Sequence, residues 1–196
     1  MIRYLGDKGY GGYNTETKTL NADSVVYSFG IGENISWDLA MIELGCVVHA
    51  FDPTPRSIEF VNNQVLPPQF IFHPYGVAHF DGVAKFNPQG SKPQNVSVSM
   101  QLYQEWSDQA IELPVKRLST IMKELGHNHI DVLKMDIEGE ELFLWSDLKN
   151  IRIGQMLLDF DGKRKMDKIR QWLLTNKMRL RGYSTVKNGQ DISFVK

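Results

Sequence analysis

Apolar and polar positions along this chain follow two alternating rhythms. VVYSF (Val25 to Phe29) and VVHAF (Val47 to Phe51) are unbroken apolar runs of strand length, the pattern of strands buried on both faces. Between them Ser36 stands where a helix cap belongs, apolar residues run at helical spacing to Leu44, and Gly45 stops the helix. Thr54 and Pro55 cap and open a second helix through about Asn62, and Phe70 to His73 form a third apolar strand. HFDGVAKF sets Asp81-Gly82 between two alternating runs, which predicts a hairpin.

The second half continues in kind. LPVKRLSTIMKELG predicts a short strand and a helix ending at Gly126, and Asp131 to Met135 a fourth core strand. GEELFLWSDL carries the next helix, Ile153 to Phe160 a fifth strand, and Met166 to Asn176 another helix. MRLRGYSTV and DISFVK flank Lys187-Asn188-Gly189-Gln190 and predict an antiparallel closing hairpin. Two segments stand apart. Residues 1–24, with GDKGYGGYNTET, predict a glycine-rich loop or short hairpin rather than a core element, and 87–112 predict an excursion over the sheet suited to a lid. Strands alternating with helices make the expected fold class α/β and Rossmann-like. It comprises a mostly parallel seven-stranded sheet, a C-terminal antiparallel hairpin and helices on both faces.

Composition narrows the partners more than the fold. The 196 residues are read as a single domain, 1–196, large enough to bury a core without staples. A net charge of −1 gives no electrostatic case for nucleic acid or an anionic membrane, although basic residues collect in KRKMDKIRQ and KMRLRGY. A solvated helix face accounts for those at least as well as a polyanion site. Cys46 is alone, so no disulfide framework exists, and no run approaches the ~20 apolar residues of a membrane span. A cytoplasmic location is the expectation.

The chemistry concentrates after the first strand. Gly30 and Gly32 leave no Cβ where the chain bends sharply and a ligand must touch backbone, and Asp52 ends the next strand about twenty residues on. A dinucleotide fold wants a third glycine where Ile35 stands, so a pyrophosphate is poorly provided for. S-adenosylmethionine carries no phosphate and needs only the first two glycines. Asp52 can accept hydrogen bonds from both ribose hydroxyls of such a ligand. A GxG pair by itself is equally the mark of a tight turn; the flanking strands and Asp52 favour the cofactor.

IDVLKMDIEGEELFLWSDL (130–148) resembles the signature of the FkbM-type methyltransferases, an apolar strand followed by K-x-D-x-E-G-x-E. Lys134, Asp136, Glu138, Gly139 and Glu141 match it position by position. AFDPTPRSIEFV and HPYGVAHFDGVAKF are similar to the family's second-strand and third-strand segments, ELPVKRLSTIM to the stretch before the signature, and LGDKGYGGY to a glycine loop in a methyltransferase-like branch. The resemblance covers nearly the whole chain. It implies a class I methyltransferase sheet, S-adenosyl-L-methionine as cofactor and methylation of a hydroxyl on a small molecule or glycan. Two departures stand out: Ser28 replaces the family's acid two residues before Gly30, and Asp161 replaces a histidine two residues after Asp159.

The candidate residues each carry a plainer structural alternative. Asp136 ends the fourth strand, where it would contact the cofactor's amino group or the acceptor hydroxyl, or merely cap the next helix. It is the catalytic candidate. Ser28, Gly30, Gly32, Asp52, Pro53, Gly76, Val77, Asp136, Glu138 and Tyr13 are the cofactor-binding candidates, Gly76 and Val77 at the adenine and Tyr13 as a closing residue or an anchor for the N-terminal loop. Asp136, Asp159 and Asp161 at one sheet edge could hold a divalent metal, but no ligand spacing is diagnostic and none is predicted. His49 reads as a core residue, His127 and His129 as solvated, and His73 or His79 as a candidate general base. Two rival readings remain: a non-catalytic cofactor- or partner-binding domain, and a nicotinamide-dependent oxidoreductase.

Overall fold

A computed structural model describes residues 1–88, 98–99, 110–137, 144–160, 165–188 and 191–196. In chain order the first elements are β1 (Ile2–Leu5), β2 (Tyr13–Glu16), β3 (Val25–Phe29), α1 (Ser36–Glu43), β4 (Val47–Phe51), α2 (Pro55–Asn62) and β5 (Phe70–His73). Then come β6 (Gly76–Val77), β7 (Gly82–Pro88), β8 (Val98–Ser99), β9 (Ile111–Lys116), α3 (Leu118–Leu125) and β10 (Ile130–Met135). The chain ends with α4 (Trp145–Leu148), β11 (Ile153–Leu158), α5 (Lys165–Leu180), β12 (Ser184–Asn188) and β13 (Asp191–Val195).

The large sheet runs β12-β13-β11-β10-β3-β4-β5. Neighbours from β11 to β5 pair in parallel, and β13 is antiparallel to both β11 and β12. The chain leaves β3 toward β4 and β5, then returns to β10 on β3's other side. That reversal opens a crevice at the carboxyl ends of β3 and β10, where open α/β sheets place ligands.

Side chains alternate between the two sheet faces. Tyr27, Phe29, Phe51, Leu133 and Met135 pack against Leu118 and Ile121 of α3 and Leu174 and Met178 of α5. Val26, Val48 and Val132 face Trp37 and Met41 of α1. This second face also takes in Leu5 and Tyr13 from the N-terminal strands, so the segment expected to lie outside the core belongs to it. The reason is the alternation in β2: Tyr13 and Thr15 point inward, Trp37 Nε1 donates to Thr15 Oγ1 (3.0 Å), and Gln155 exchanges two hydrogen bonds with the Glu16 backbone.

Other details differ from expectation. The Asp81-Gly82 hairpin does not form, because β7 pairs antiparallel with β9, and β6 joins β9 in parallel. An alternating strand takes the partner that buries its face, and β9 supplies Leu113 and Val115 to Ala84 and Phe86. Ser36 is the first helical residue rather than the cap; its Oγ accepts from the Asp7 N–H (2.8 Å) and holds the N-terminal loop. Thr54 does cap α2, accepting from the Ser57 N–H, with Pro55 at the first position. Of the expected lid, 89–97 and 100–109 lie outside the described residues, as do Glu138, Asp161 and the 189–190 turn.

His127, expected in solvent, joins His49 and His73 on the α3 face, all three half-buried. His49 and His73 share a hydrogen bond (Nδ1 to Nε2, 3.1 Å), and His127 shares one with the Tyr27 hydroxyl (2.7 Å). His73 stacks on Phe51 and His49 edges onto Tyr27. Burial pushes all three below the usual imidazole value, His49 to about 4, where the other two imidazoles add to the effect. The folded state therefore refuses protons that the unfolded chain accepts near pH 6.5. The contribution of these imidazoles should be flat above that pH, and stability should fall as pH drops from about 6.5 to 4. Urea unfolding at pH 7.5 and 5.5 checks this; an undiminished slope in His49→Gln would contradict it.

Candidate functional site

The turn after β3 is shaped by its neighbour strand. Gly30 and Gly32 both adopt positive φ, +73° and +53°. A Cβ on Gly30 would lie 1.7 Å from the Asp136 carbonyl oxygen. The chain can close there because the Asp136 N–H donates to Phe29 O (3.1 Å) and the Gly30 N–H to Phe51 O (2.9 Å). The glycine at position 30 is thus demanded by the protein's own backbone, where a ligand was expected. Gly32 is the open position: among the described residues a Cβ there would meet only the Tyr10 hydroxyl, at 3.6 Å.

Asp52, 4 % exposed, is built into the same turn. Its Oδ2 accepts from the Gly32 N–H (3.0 Å), and its Oδ1 from the Thr54 N–H (2.9 Å) and Thr54 Oγ1 (2.7 Å). One carboxylate therefore ties the glycine turn to the start of α2.

Acids gather on the other side of the crevice. The Tyr13 hydroxyl donates to Asp136 Oδ2 (3.3 Å). Burial and then the charges of Asp136, Asp159 and Asp191 push the Tyr13 phenol far above its usual value, so it stays a donor. Tyr13 is 2 % exposed, an anchor rather than a closing residue, and the aromatic at the mouth of the turn is Tyr10. Asp191 lies far from the other two in sequence, and only the antiparallel placement of β13 beside β11 brings it in.

Beneath the turn lies a buried polar layer. Lys134, 2 % exposed, donates from Nζ to the Gly30 carbonyl (3.3 Å) and lies 5.5 Å over the Tyr13 ring. Its register partner on β3 is Ser28, so both point to the α1 face. There they meet Asp38, fully buried on α1. Desolvation raises the Asp38 carboxyl, while Lys134 and nearby Ser28 oppose the rise. Ser28 is close enough for that effect, yet among the described residues neither its Oγ nor either Asp38 oxygen completes a hydrogen bond. Asp38 thus supplies from the helix the carboxyl that Ser28 does not supply from the strand. An acid at the third position of an apolar helix was the available signal, though Asp38 also reads as a helix-dipole partner.

The remaining candidates are spread out. Gly76 packs on Pro53 and Val115, and Val77 is buried beside it, both paired with the C-terminal end of β9. Pro53, Pro55, Ile58, Pro74 and Pro114 line a groove of about 560 Å³, whose described lining shares only Pro53 with the predicted set and holds none of the acids around Tyr13. His79 is exposed, and His73 is occupied by His49. Glu138 lies outside the described residues. Among the described residues no three His, Cys, Asp or Glu side chains are placed to hold a metal ion.

The family pattern described as the methyltransferase FkbM domain matches residues 24–185. The chain belongs to the FkbM methyltransferase family. It is 26 % identical over 158 residues to the human "Probable methyltransferase-like protein 24", covering 75 % of this chain and 35 % of that one. It is 28 % identical over 142 residues to the rat protein of the same name, covering 68 % and 32 %. The chain thus spans about a third of the length of these curated relatives. Among solved structures, a Methanococcus jannaschii fibrillarin pre-rRNA processing protein overlays with a TM-score of 0.46 at 10 % identity, over 97 % of this chain and 80 % of that one. In this FkbM chain the Lys134 and Asp136 portion of the signature forms the floor and wall of the crevice.

Two outcomes are expected. Gly30→Ala should destabilise by more than about 4 kcal/mol or prevent folding, whereas Gly32→Ala should fold with a loss of about 1 kcal/mol; thermal unfolding of both checks the assignment. Ser28→Asp and Asp38→Asn should each destabilise, the first by crowding two carboxyls and the second by stranding Lys134. The double variant should recover about 1–2 kcal/mol of that loss in a double-mutant cycle.

Proposed function

We propose that this chain is an S-adenosylmethionine-dependent methyltransferase of the class I arrangement, acting on a hydroxyl of a small molecule or glycan. The observation that carries the cofactor is the charge of the crevice. Asp136 and Asp159 stand at the carboxyl ends of β10 and β11, beside a glycine turn open at Gly32. That edge suits a ligand with ammonium and sulfonium charges and repels a pyrophosphate, which disfavours the nicotinamide reading. When bound, the cofactor supplies an electrophilic methyl group.

The chain's own part is alignment. Asp136, held by the Tyr13 hydroxyl, is positioned to accept from the cofactor's amino group or from the acceptor hydroxyl. Asp52 is set to meet the ribose hydroxyls; because it already binds Gly32 and Thr54, such a contact would couple occupancy to the shape of the turn. Gly32 leaves room for the ligand at the turn, with Pro53, Gly76 and Val77 on the adenine side and Ser28 and Gly30 beneath. The preference for oxygen follows from the family and from no contact in the site. A binding domain without turnover is the second reading, motivated by Ser28 in place of the strand acid.

Calorimetry with S-adenosylmethionine, S-adenosylhomocysteine and NADH tests this reading. The sulfonium cofactor and its product should bind and NADH should not; the reverse would overturn it. Asp136→Asn should weaken binding of the sulfonium cofactor by about tenfold with an unchanged melting temperature. Cofactor binding without turnover across hydroxylated acceptors would favour the binding-domain reading.

A further inference from the structure

One feature of the surface is unused by the crevice. Residues 163–181 hold eight of the chain's 22 lysines and arginines and only one of its 23 acids, in a protein whose net charge is −1. Most of this segment is α5 (Lys165–Leu180). Leu174, Thr175 and Met178 are buried, so one face of the helix is spent on the core. The opposite face is also apolar. Ile169 (41 % exposed), Trp172 (64 %), Leu173 (43 %) and Leu180 (88 %) make four of the eleven exposed large hydrophobic side chains among the described residues. At about 100° per residue, they fall within one outward stripe roughly 100° wide.

Cations border that stripe on both sides. Lys168 and Arg179 lie along one edge and Lys177 along the other, all exposed, and none of the helix's described side chains is acidic. The face cannot roll inward to hide itself. The C-terminal part of α5 is pinned by Leu174 and Met178 in the core, by Lys177 Nζ 4.9 Å over the Trp145 ring, and by Arg181 donating to Lys149 O (3.0 Å). An apolar centre with a tryptophan, flanked by basic residues, is the arrangement of a helix that lies in a membrane interface. Nucleic acid would engage the cations but offer its phosphates nothing for Ile169, Leu173 and Leu180. Among the described residues no helix is long and apolar enough to cross a membrane, so the contact is with the surface.

We propose that the outward face of α5 docks this protein onto an anionic phospholipid bilayer, with Ile169, Trp172, Leu173 and Leu180 entering the headgroup boundary and Lys168, Lys177 and Arg179 meeting lipid phosphates. The proposal uses none of the crevice residues, so it stands or falls independently of the methyl acceptor. Vesicle flotation tests it, using phosphatidylcholine alone and with about 30 % phosphatidylserine. The chain should float with the anionic vesicles at about 0.05 M salt, release at about 0.5 M, and stay behind with neutral vesicles. Trp172→Glu should reduce flotation by at least about tenfold while keeping the wild-type melting temperature, since the position is exposed. A blue shift of tryptophan emission on anionic vesicles should vanish in Trp172→Phe. Failure to float, equal flotation with neutral vesicles, or full flotation of Trp172→Glu would overturn the proposal. So would a dimer, seen by sedimentation, that Trp172→Glu dissolves, which would make this face an interface between copies.

Discussion

The contact on which the rest of the site depends is the one between the glycine turn and the end of β10. A Cβ at Gly30 would sit 1.7 Å from the Asp136 carbonyl, closer than any two non-bonded atoms can come. Because the two central strands close this tightly, the Asp136 side chain emerges next to the open position at Gly32, and Lys134 below reaches the Gly30 carbonyl. Sheet pairing and site geometry are therefore one arrangement. Moving β10 by a fraction of an ångström would displace the turn, the acid and the lysine together.

Around that contact the protein buries more polar chemistry than its core requires. Lys134, Asp38 and Ser28 share the α1 face, and Tyr13 with Asp136 sits above them. A buried ammonium is tolerable only with carboxyl and carbonyl groups near it. Here a carbonyl comes from the turn and a carboxyl from the helix. A carboxyl is thus present beneath the turn, but it enters from α1 and not from position 28 of β3. Asp159 and Asp191 add negative charge near the crevice itself.

The two faces of the sheet carry different burdens. The α1 face holds this polar layer and the N-terminal strands. The α3 face holds the aromatic core and the imidazole cluster of His49, His73 and His127, kept neutral by burial. Helix α5 covers that second face and turns an apolar stripe outward as well, so it is apolar on two sides. No helix needs that for its own packing, and this is why its outer surface calls for a partner.

Much of the fold was legible because it is local. The apolar runs at Val25 to Phe29 and Val47 to Phe51, the Thr54-Pro55 cap and Gly30-x-Gly32 are set by periodicity and by backbone conformations that few residues tolerate. The FkbM signature was readable in its Lys134 and Asp136, as the family match over 24–185 bears out. What escaped depends on contacts between distant segments. Val83 to Phe86 alternate as a strand should, but the alternation does not name β9 as partner. Tyr13 and Tyr10 differ only in which one the first hairpin turns inward. Asp38, Asp191 and His127 took on their roles through packing against strands roughly a hundred residues away or more. By itself the sequence determined the elements, the order of strands and helices, and the residue types at the turn. The tertiary structure alone decided which side chains meet, because desolvation and charge act through space and have no period along the chain.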